Sequence, residues 1–335
     1  MARYWVGGAT GFLGSHLVQL LSAKGHDVVA VSRSGGQLGD LEVAQVDVLD
    51  TAAVEHSARG CDGAFLATGM VSRDKGDADK LHRLHVVGTR TALAGLKAAG
   101  VKRTVVASTS GTIAVGTDPS QIFDERDDPP LEIIASWPYY RSKLYGEHEA
   151  LEASSEGFDV IVVNPSLLLG PGDLRESSTG DVRRFLDRSV PAIPGGGYAF
   201  VDVRDAAQGM WLAFERGTPG ERYLLNAKNL TIAALFQRLS RLTGVKVPLL
   251  RMPKHRELAL QLNQVFNKAV RAIGGEPSVD EVSVEMAQYY WYCDSAKAQQ
   301  ELGWSPRDPG ETLRDTVFDL VERGVVPDFR DRRAS

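Results

Sequence analysis

The first half of the chain alternates short apolar runs with stretches of helical spacing, and few architectures accept that alternation. "RYWVGG", "DVVAVSR", "VAQVDV", "GAFLAT", "RTVVAST" and "DVIVVNPS" read as strands. Their Val, Ile and Leu residues run on without polar alternation, as in strands buried on both faces. Helical patterns lie between them. "FLGSHLVQLLSAKG" carries Leu13, Leu17, Leu20 and Leu21 at helical spacing, with Gly25 beyond its end. "TAAVEHSARG", the long "KLHRLHVVGTRTALAGLKAAG" and "YYRSKLYGEHEALEASSEG" read as further helices. This order predicts an α/β fold: a doubly wound parallel sheet with helices on both faces.

After Pro165 the pattern loosens. "GPGDLRESSTGDV" and "PAIPGGGYAF" read as Gly/Pro-rich loops and "RYLLN" as one more strand. Residues 228–292 read as mainly helical, broken at "VPLLRMP". The expected division is residues 1–165 plus about 199–227 as a dinucleotide-binding domain, and 166–198 plus 228–325 as a smaller, mainly helical substrate-binding region. Residues 326–335 form a tail.

Composition excludes several classes. Net charge is -5 with both signs interspersed, so no basic face for nucleic acid is expected; "RDRR" near the end reads as a solvated tail. Two cysteines, Cys61 and Cys293, are too few for a disulfide framework or a clustered metal site. A reducing compartment and no metal are expected. No charged leader precedes a long apolar stretch, and no apolar run approaches the roughly 18 residues of a membrane span. A cytoplasmic protein with no membrane partner is the expectation.

"GGATGFLG" sets Gly8, Gly11 and Gly14 between the first strand and the first helix. Glycines there allow a tight turn and let backbone N–H groups approach a pyrophosphate. The strand-before, helix-after context points to a Rossmann-type dinucleotide site. The end of the second strand reads "SRSGG", with Ser32, Arg33 and Ser34 and no acid. A fold of this kind that prefers NAD usually carries an acid there, whereas arginine pairs with a 2′-phosphate. NADP(H) is therefore expected over NAD(H). Asp47, after the third strand, either reaches the adenine or is a surface acid.

"WPYYRSKLYGE" holds Tyr139 and Lys143. Four helical residues advance about 400°, which leaves the two side chains about 40° apart and roughly 6 Å along the axis. A free phenol has a pKa of about 10, and bringing it near 7 takes roughly 4 kcal/mol. An ammonium about 4 Å away contributes on the order of 4 kcal/mol at an effective dielectric near 20. The lysine is thus expected to tune the tyrosine into an acid/base for hydride chemistry at a carbonyl. A hydroxyl from "VVASTSGT" would polarise that carbonyl, since strand carboxyl ends face the ligand crevice. Alternation places Ser108 and Ser110 on one face. Ser110, nearest the strand's end, is the candidate, with Thr109 as the fallback.

These segments together resemble the extended short-chain dehydrogenases/reductases, of the NAD(P)-dependent epimerase/dehydratase superfamily. "GGATGFLG" is similar to their TGxxGxxG turn and "YYRSK" to their YxxxK motif. "HVVGT" resembles the NxxGT helix, "NPSLLLGPGD" the RPxxxYGPGD loop, "FVDVRDAAQG" the FVxVxDxA segment and "KAQQELGWSPR" the C-terminal KAxxxLGxxPR stretch. The likeness is strongest to the dihydroflavonol 4-reductase-like and 3β-hydroxysteroid dehydrogenase-like branch. It implies Ser110 as carbonyl-orienting group, Tyr139 as acid/base and Lys143 as ribose contact. It implies cofactor contacts from Gly8, Thr10, Gly11, Phe12, Leu13, Gly14, Ser32, Arg33, Asp47, Val48, Ala67, Thr68, Lys143, Pro165, Ser166 and Leu167. It also implies a homodimer formed through the helices around 80–98 and 139–153. Three positions depart from the pattern: Gly7 for threonine, Asn164 for arginine, and His85 for the asparagine of the NxxGT helix, where it either is a satisfied helix residue or adds a pH dependence.

The leading reading is an NADP-dependent oxidoreductase that reduces a ketone or aldehyde, or oxidises the alcohol, on a small, mostly apolar substrate. A nucleotide-sugar epimerase or dehydratase is the alternative. It needs cations for a diphosphate, and Arg175, Arg183, Arg251 and Lys254 are candidates. A non-catalytic NADP-binding regulator is the third reading, opposed by the retained Tyr–Lys pair.

Overall fold

A computed structural model describes residues 1–253, 258, 261, 264 and 280–329. The predicted apolar runs become strands β1 (Arg3–Gly7), β2 (Asp27–Ser32), β3 (Gly36–Leu38), β4 (Leu41–Gln45), β5 (Gly63–Leu66), β6 (Arg103–Ala107) and β7 (Asp159–Pro165). Later come β8 (Leu167–Leu169), β9 (Ala192–Ile193), β10 (Gly197–Asp202), β11 (Arg222–Leu225), β12 (Lys228–Thr231) and β13 (Leu250–Arg251). The helices through the first two-thirds are α1 (Phe12–Ala23), α2 (Thr51–Ala58), α3 (Ala78–His82), α4 (Gly88–Ala98), α5 (Leu131–Ile134), α6 (Pro138–Ala153), α7 (Gly180–Leu186), α8 (Val203–Arg216) and α9 (Ile232–Thr243).

The main sheet has eight strands in the order β11-β7-β6-β5-β1-β2-β4-β3. Every pair is parallel except β3 with β4. Strand side chains alternate between two cores. Val6, Val105, Ile161 and Val163 meet α1 and α8 on one face. Trp5, Val106, Val160 and Val162 meet α2, α4 and α6 on the other. Order and direction make this a Rossmann-type sheet.

The chain departs from expectation in three places. First, β3 and β4 form a small antiparallel hairpin at the sheet edge. Second, the long helix expected through residues 80–98 is helical throughout but contains a π turn at Arg83–Val87, between α3 and α4. Third, "PAIPGGGYAF" is not all loop. β10 pairs with β8 and β12 in a second, three-stranded sheet. The polar "GGG" hid the strand, whose Ala199, Phe200 and Val201 are buried.

α7, α9 and the helix Pro309–Glu322 pack on that second sheet around Phe185, Phe236, Leu239 and Leu313. Thr231 caps α9 by accepting from the Ala234 N–H, and Gly244 ends it in a left-handed conformation. Buried charge ties this layer to the main sheet. Arg204 bridges Asp202 and Asp315 at 2.7 Å each, and Arg307 donates to Asp205 at 2.9 Å. No helix among the described residues is long and apolar enough to cross a membrane. The "RDRR" tail and Lys254 lie outside the described residues.

Candidate active site

A cleft of about 300 Å³ opens at the carboxyl ends of β1, β5, β6 and β7. Its floor begins at the glycine turn. Gly8 has φ +78°, a left-handed conformation that glycine adopts freely. A Cβ on Gly8 would come within 2.8 Å of the Ala67 backbone, so only glycine lets the end of β5 approach this closely. A Cβ on Gly14 would run into the Gly8 carbonyl oxygen. No side chain caps the start of α1 at Gly11. Its first amides therefore point at the cleft as an anion site. Thr68 Oγ1, buried at the same cleft, has no hydrogen-bond partner among the described residues. Free amides at a helix N-terminus and a waiting hydroxyl fit a nicotinamide dinucleotide.

Of the residues expected at the cofactor, Gly11, Phe12, Leu13, Ala67, Thr68, Lys143, Pro165, Ser166 and Leu167 line this one cleft. Gly8, Thr10 and Gly14 shape the turn beneath it. Ser32, Arg33, Asp47 and Val48 do not line it; they follow β2 and β4, farther along the sheet. Arg33 is exposed, and Ser32 Oγ donates to the Gly35 carbonyl at 3.3 Å. Asp47 is exposed and accepts from the Leu49 N–H at 3.0 Å.

Tyr139 and Lys143 stand on the first turns of α6, which Pro138 starts and Trp137 precedes. Both line the cleft. Burial outweighs any tuning of the Tyr139 phenol by the ammonium. Burial pushes Tyr139 up to about 12. Lys143 Nζ instead donates to the Ala107 carbonyl at 2.7 Å. Burial draws Lys143 down to about 8, against the pull of Glu147. At neutral pH the pair is a neutral phenol beside an ammonium, which is the protonation state of a general acid.

The three candidate hydroxyls separate. β6 ends at Ala107 and a 3₁₀ turn begins at Ser110, so strand alternation does not extend to these residues. Ser108 Oγ is committed to Glu147 at 2.5 Å. Ser110 is 5% exposed, with its hydroxyl against the Cys293 thiol. All three line the cleft; Thr109 is the least buried, and its Oγ1 accepts from the Gly111 N–H at 3.4 Å.

Beneath them lies a polar core that was not singled out in the sequence. Glu147 Oε2 accepts from Ser108, from Thr112 Oγ1 at 2.9 Å and from Asn164 Nδ2 at 2.7 Å, while Oε1 faces Arg222 at 3.3 Å. Asn164 also donates to the Thr109 carbonyl at 3.1 Å, so it holds the turn that carries Thr109. The available signal was spacing: Glu147 follows Lys143 by four residues and shares its helix face.

His85 lies in the π turn, 3% exposed. Its Nε2 is 3.1 Å from the Met70 N–H and its Nδ1 2.8 Å from Ser142 Oγ. The Met70 amide can only donate, so Nε2 accepts and Nδ1 carries the proton. Ser142 passes its own proton to the Tyr139 carbonyl at 2.8 Å. Burial, with the Lys143 charge, draws His85 down to about 3. Of the two readings of His85, these contacts match the satisfied residue: it is a neutral brace between the loop after β5 and the start of α6. As for the cations proposed for a diphosphate, Arg175 and Arg251 are exposed, and neither they nor Arg183 line the cleft.

The chain belongs to the NAD dependent epimerase/dehydratase family, whose model matches residues 4–225, and is an NAD(P)-dependent oxidoreductase of the extended short-chain dehydrogenase/reductase type. It is 35% identical over 332 residues to a Synechocystis sp. protein named as a dihydroflavonol 4-reductase, with 96% of each chain covered. It is 31% identical over 328 residues to the sterol demethylase protein B of Methylococcus capsulatus, covering 96% of this chain and 99% of that one. Among solved structures, that of gox2253 superposes with a TM-score of 0.82 at 27% identity, covering 97% of this chain and 100% of the other.

Proposed function

We propose that the protein reduces a ketone or aldehyde on a small, mostly apolar molecule, with NADP(H) as the preferred dinucleotide. The observation that carries this reading is a neutral, cleft-facing Tyr139 beside a protonated Lys143. The dinucleotide, when bound, supplies the hydride. Tyr139 hands its phenolic proton to the carbonyl oxygen as charge develops there. The Lys143 ammonium stabilises the phenolate left behind. Thr109, the most accessible hydroxyl on the loop after β6, orients the carbonyl in preference to Ser110. The same groups run alcohol oxidation in reverse.

The NADP(H) preference is supported by Ser32 and exposed Arg33 at the end of β2, where no acid stands. The reductase names of relatives favour this reading over sugar-nucleotide chemistry. The reading includes a homodimer through α4 and α6 and a cytoplasmic setting.

The test is a panel of aldehydes, ketones and nucleotide sugars with NADPH and NADH, run on the wild type and Tyr139→Phe. NADPH oxidation by apolar carbonyls is expected. The variant should lose about 10²- to 10⁴-fold in kcat and bind NADPH unchanged. Sugar interconversion without net consumption of the dinucleotide would overturn the reading.

A further inference from the structure

Beyond the reacting end, the described walls of the cleft differ in chemistry. One wall is aromatic. Trp137 and Trp291 stack at 5.7 Å, and Tyr140 packs on Trp291 at 4.9 Å. Tyr289 closes the group edge-on to Trp137 at 5.3 Å. Adjoining it is a knot of charge drawn from four separate segments. Arg73 comes from the loop after β5, Asp181 and Arg184 from α7, Tyr198 from β10, and Ser283 from the helix Glu281–Met286.

Two guanidiniums share one carboxylate in this knot. Arg184 donates to Asp181 Oδ1, and the Tyr198 hydroxyl donates to Oδ2 at 3.1 Å. Arg73 approaches the same Oδ2 only at 3.5 Å, and its other nitrogen donates to Ser283 Oγ at 2.8 Å. Burial pushes the Asp181 carboxyl up, but Arg73 and Arg184 prevail and hold it below its usual range. Lys143 aside, these three are the only charged side chains lining the cleft among the described residues. Asp280, which accepts from Ser283, is exposed and outside the lining. Among the described residues lining the cleft, two guanidiniums thus face one carboxylate, and the Asp280 carboxylate behind Ser283 also acts on Arg73; each guanidinium has more donors than these partners use. Tyr140 joins this wall to the chemistry: its ring lies 4.9 Å from that of Tyr139, and its phenol feels the charges of Arg73 and Asp181.

We infer that the cleft takes a carbonyl compound with a flat apolar body and a single carboxylate, the body against Trp137, Tyr140 and Trp291 and the carboxylate held by Arg73 and Arg184. This rests on the reductase reading for which end reacts. Guanidinium forks match carboxylate geometry. A diphosphate would bring a second negative charge against the ionised Asp181.

The probes are 4-formylcinnamate and its methyl ester, with UDP-glucose as a third ligand. Binding is read by quenching of tryptophan fluorescence and turnover by NADPH oxidation, with a thermal melt of each variant. The acid should bind about 10- to 100-fold more tightly than the ester. Arg73→Met should remove that difference and leave the ester's affinity unchanged, and Arg73→Lys should restore part of it. Asp181→Asn frees both guanidiniums and should tighten the acid severalfold, a gain no merely structural role predicts. NADPH affinity should be the same throughout. Equal affinity for acid and ester, equal weakening of both in Arg73→Met, or tighter binding of UDP-glucose than of the acid overturns the inference. If the acid binds with this arginine dependence but neither aldehyde is reduced, the inference stands and the reductase reading falls. If both aldehydes are reduced with equal kcat/KM and bind equally, the reverse holds.

Discussion

Lys143 and His85 are both buried bases, yet they enter the pH profile at opposite ends. Lys143 titrates at about 8, below its ordinary 10.5, because burial disfavours its charge. The ammonium is present below that value and lost above it. In the reductive direction kcat/KM should hold level through neutrality and fall about tenfold per pH unit above pH 8. Lys143→Arg, which keeps its charge, should abolish that limb, as a pH–rate series would show. His85 behaves otherwise. Its folded value near 3 lies below the unfolded value near 6.5, so the unfolded chain binds the extra proton between them. Stability from the neutral ring is full above about pH 6.5 and drains as pH falls toward 3. His85→Asn should flatten the loss of stability in urea titrations between pH 6 and 4. Arg33 supplies a third residue-scale expectation. Arg33→Asp should shift the NADPH/NADH ratio of kcat/KM toward NADH by 10-fold or more, from repulsion of a 2′-phosphate. The Tyr139–Lys143 spacing was legible because helical geometry alone brings the two together. The relative burial of Ser108, Thr109 and Ser110 was not, because it depends on where β6 stops, and the sequence "VVASTSGT" carries no signal for that boundary.

At the scale of elements, the π turn at Arg83–Val87 and α6 are fitted to each other. The His85 carbonyl accepts from Thr89 Oγ1 at 2.7 Å and lies where a Cβ on Gly146 would stand. Gly146→Ala should therefore push α6 off the turn. We expect a loss of about 1–3 kcal/mol, read in urea titrations as a lower midpoint, with a drop in kcat because Tyr139 moves with the helix. The turn was invisible in the sequence. The inserted residue leaves the spacing of Leu81, Leu93 and Leu96 compatible with one straight helix, and only the packing of Gly146 makes the widened turn useful. Strands β1, β2, β5, β6 and β7 of the main sheet were plain, since each is an apolar run between glycines or polar turns; the edge hairpin of β3 and β4, with its exposed polar residues, was not. Nor was β10. Its partners β8 and β12 lie 28 or more residues from its start in either direction, and pairing rather than composition defines it.

For the whole molecule, the proposed dimer needs an apolar surface on α4 and α6. Tyr145 is 47% exposed on α6, beside half-buried Leu144. Tyr145→Asp should shift the protein toward monomer in sedimentation velocity, and a wild type that sediments as a monomer at micromolar concentration would end the proposal. The alternating first half made the centre of the main sheet and its glycine turn readable. The substrate side was not, because its walls are assembled from distant segments: Arg73 meets Ser283 across 210 residues.

That assembly has a consequence for the order in which the chain becomes competent. Tyr289 and Trp291 are held by Tyr290 pairing with Gly116 and Gly197, and Cys293 with Phe123. The glycine turn and α6 are complete by residue 153, whereas Tyr289 and Trp291 arrive far later. During synthesis, with the N-terminal part folding first, a nascent chain gains its dinucleotide grip well before it gains any power to discriminate among carbonyl compounds.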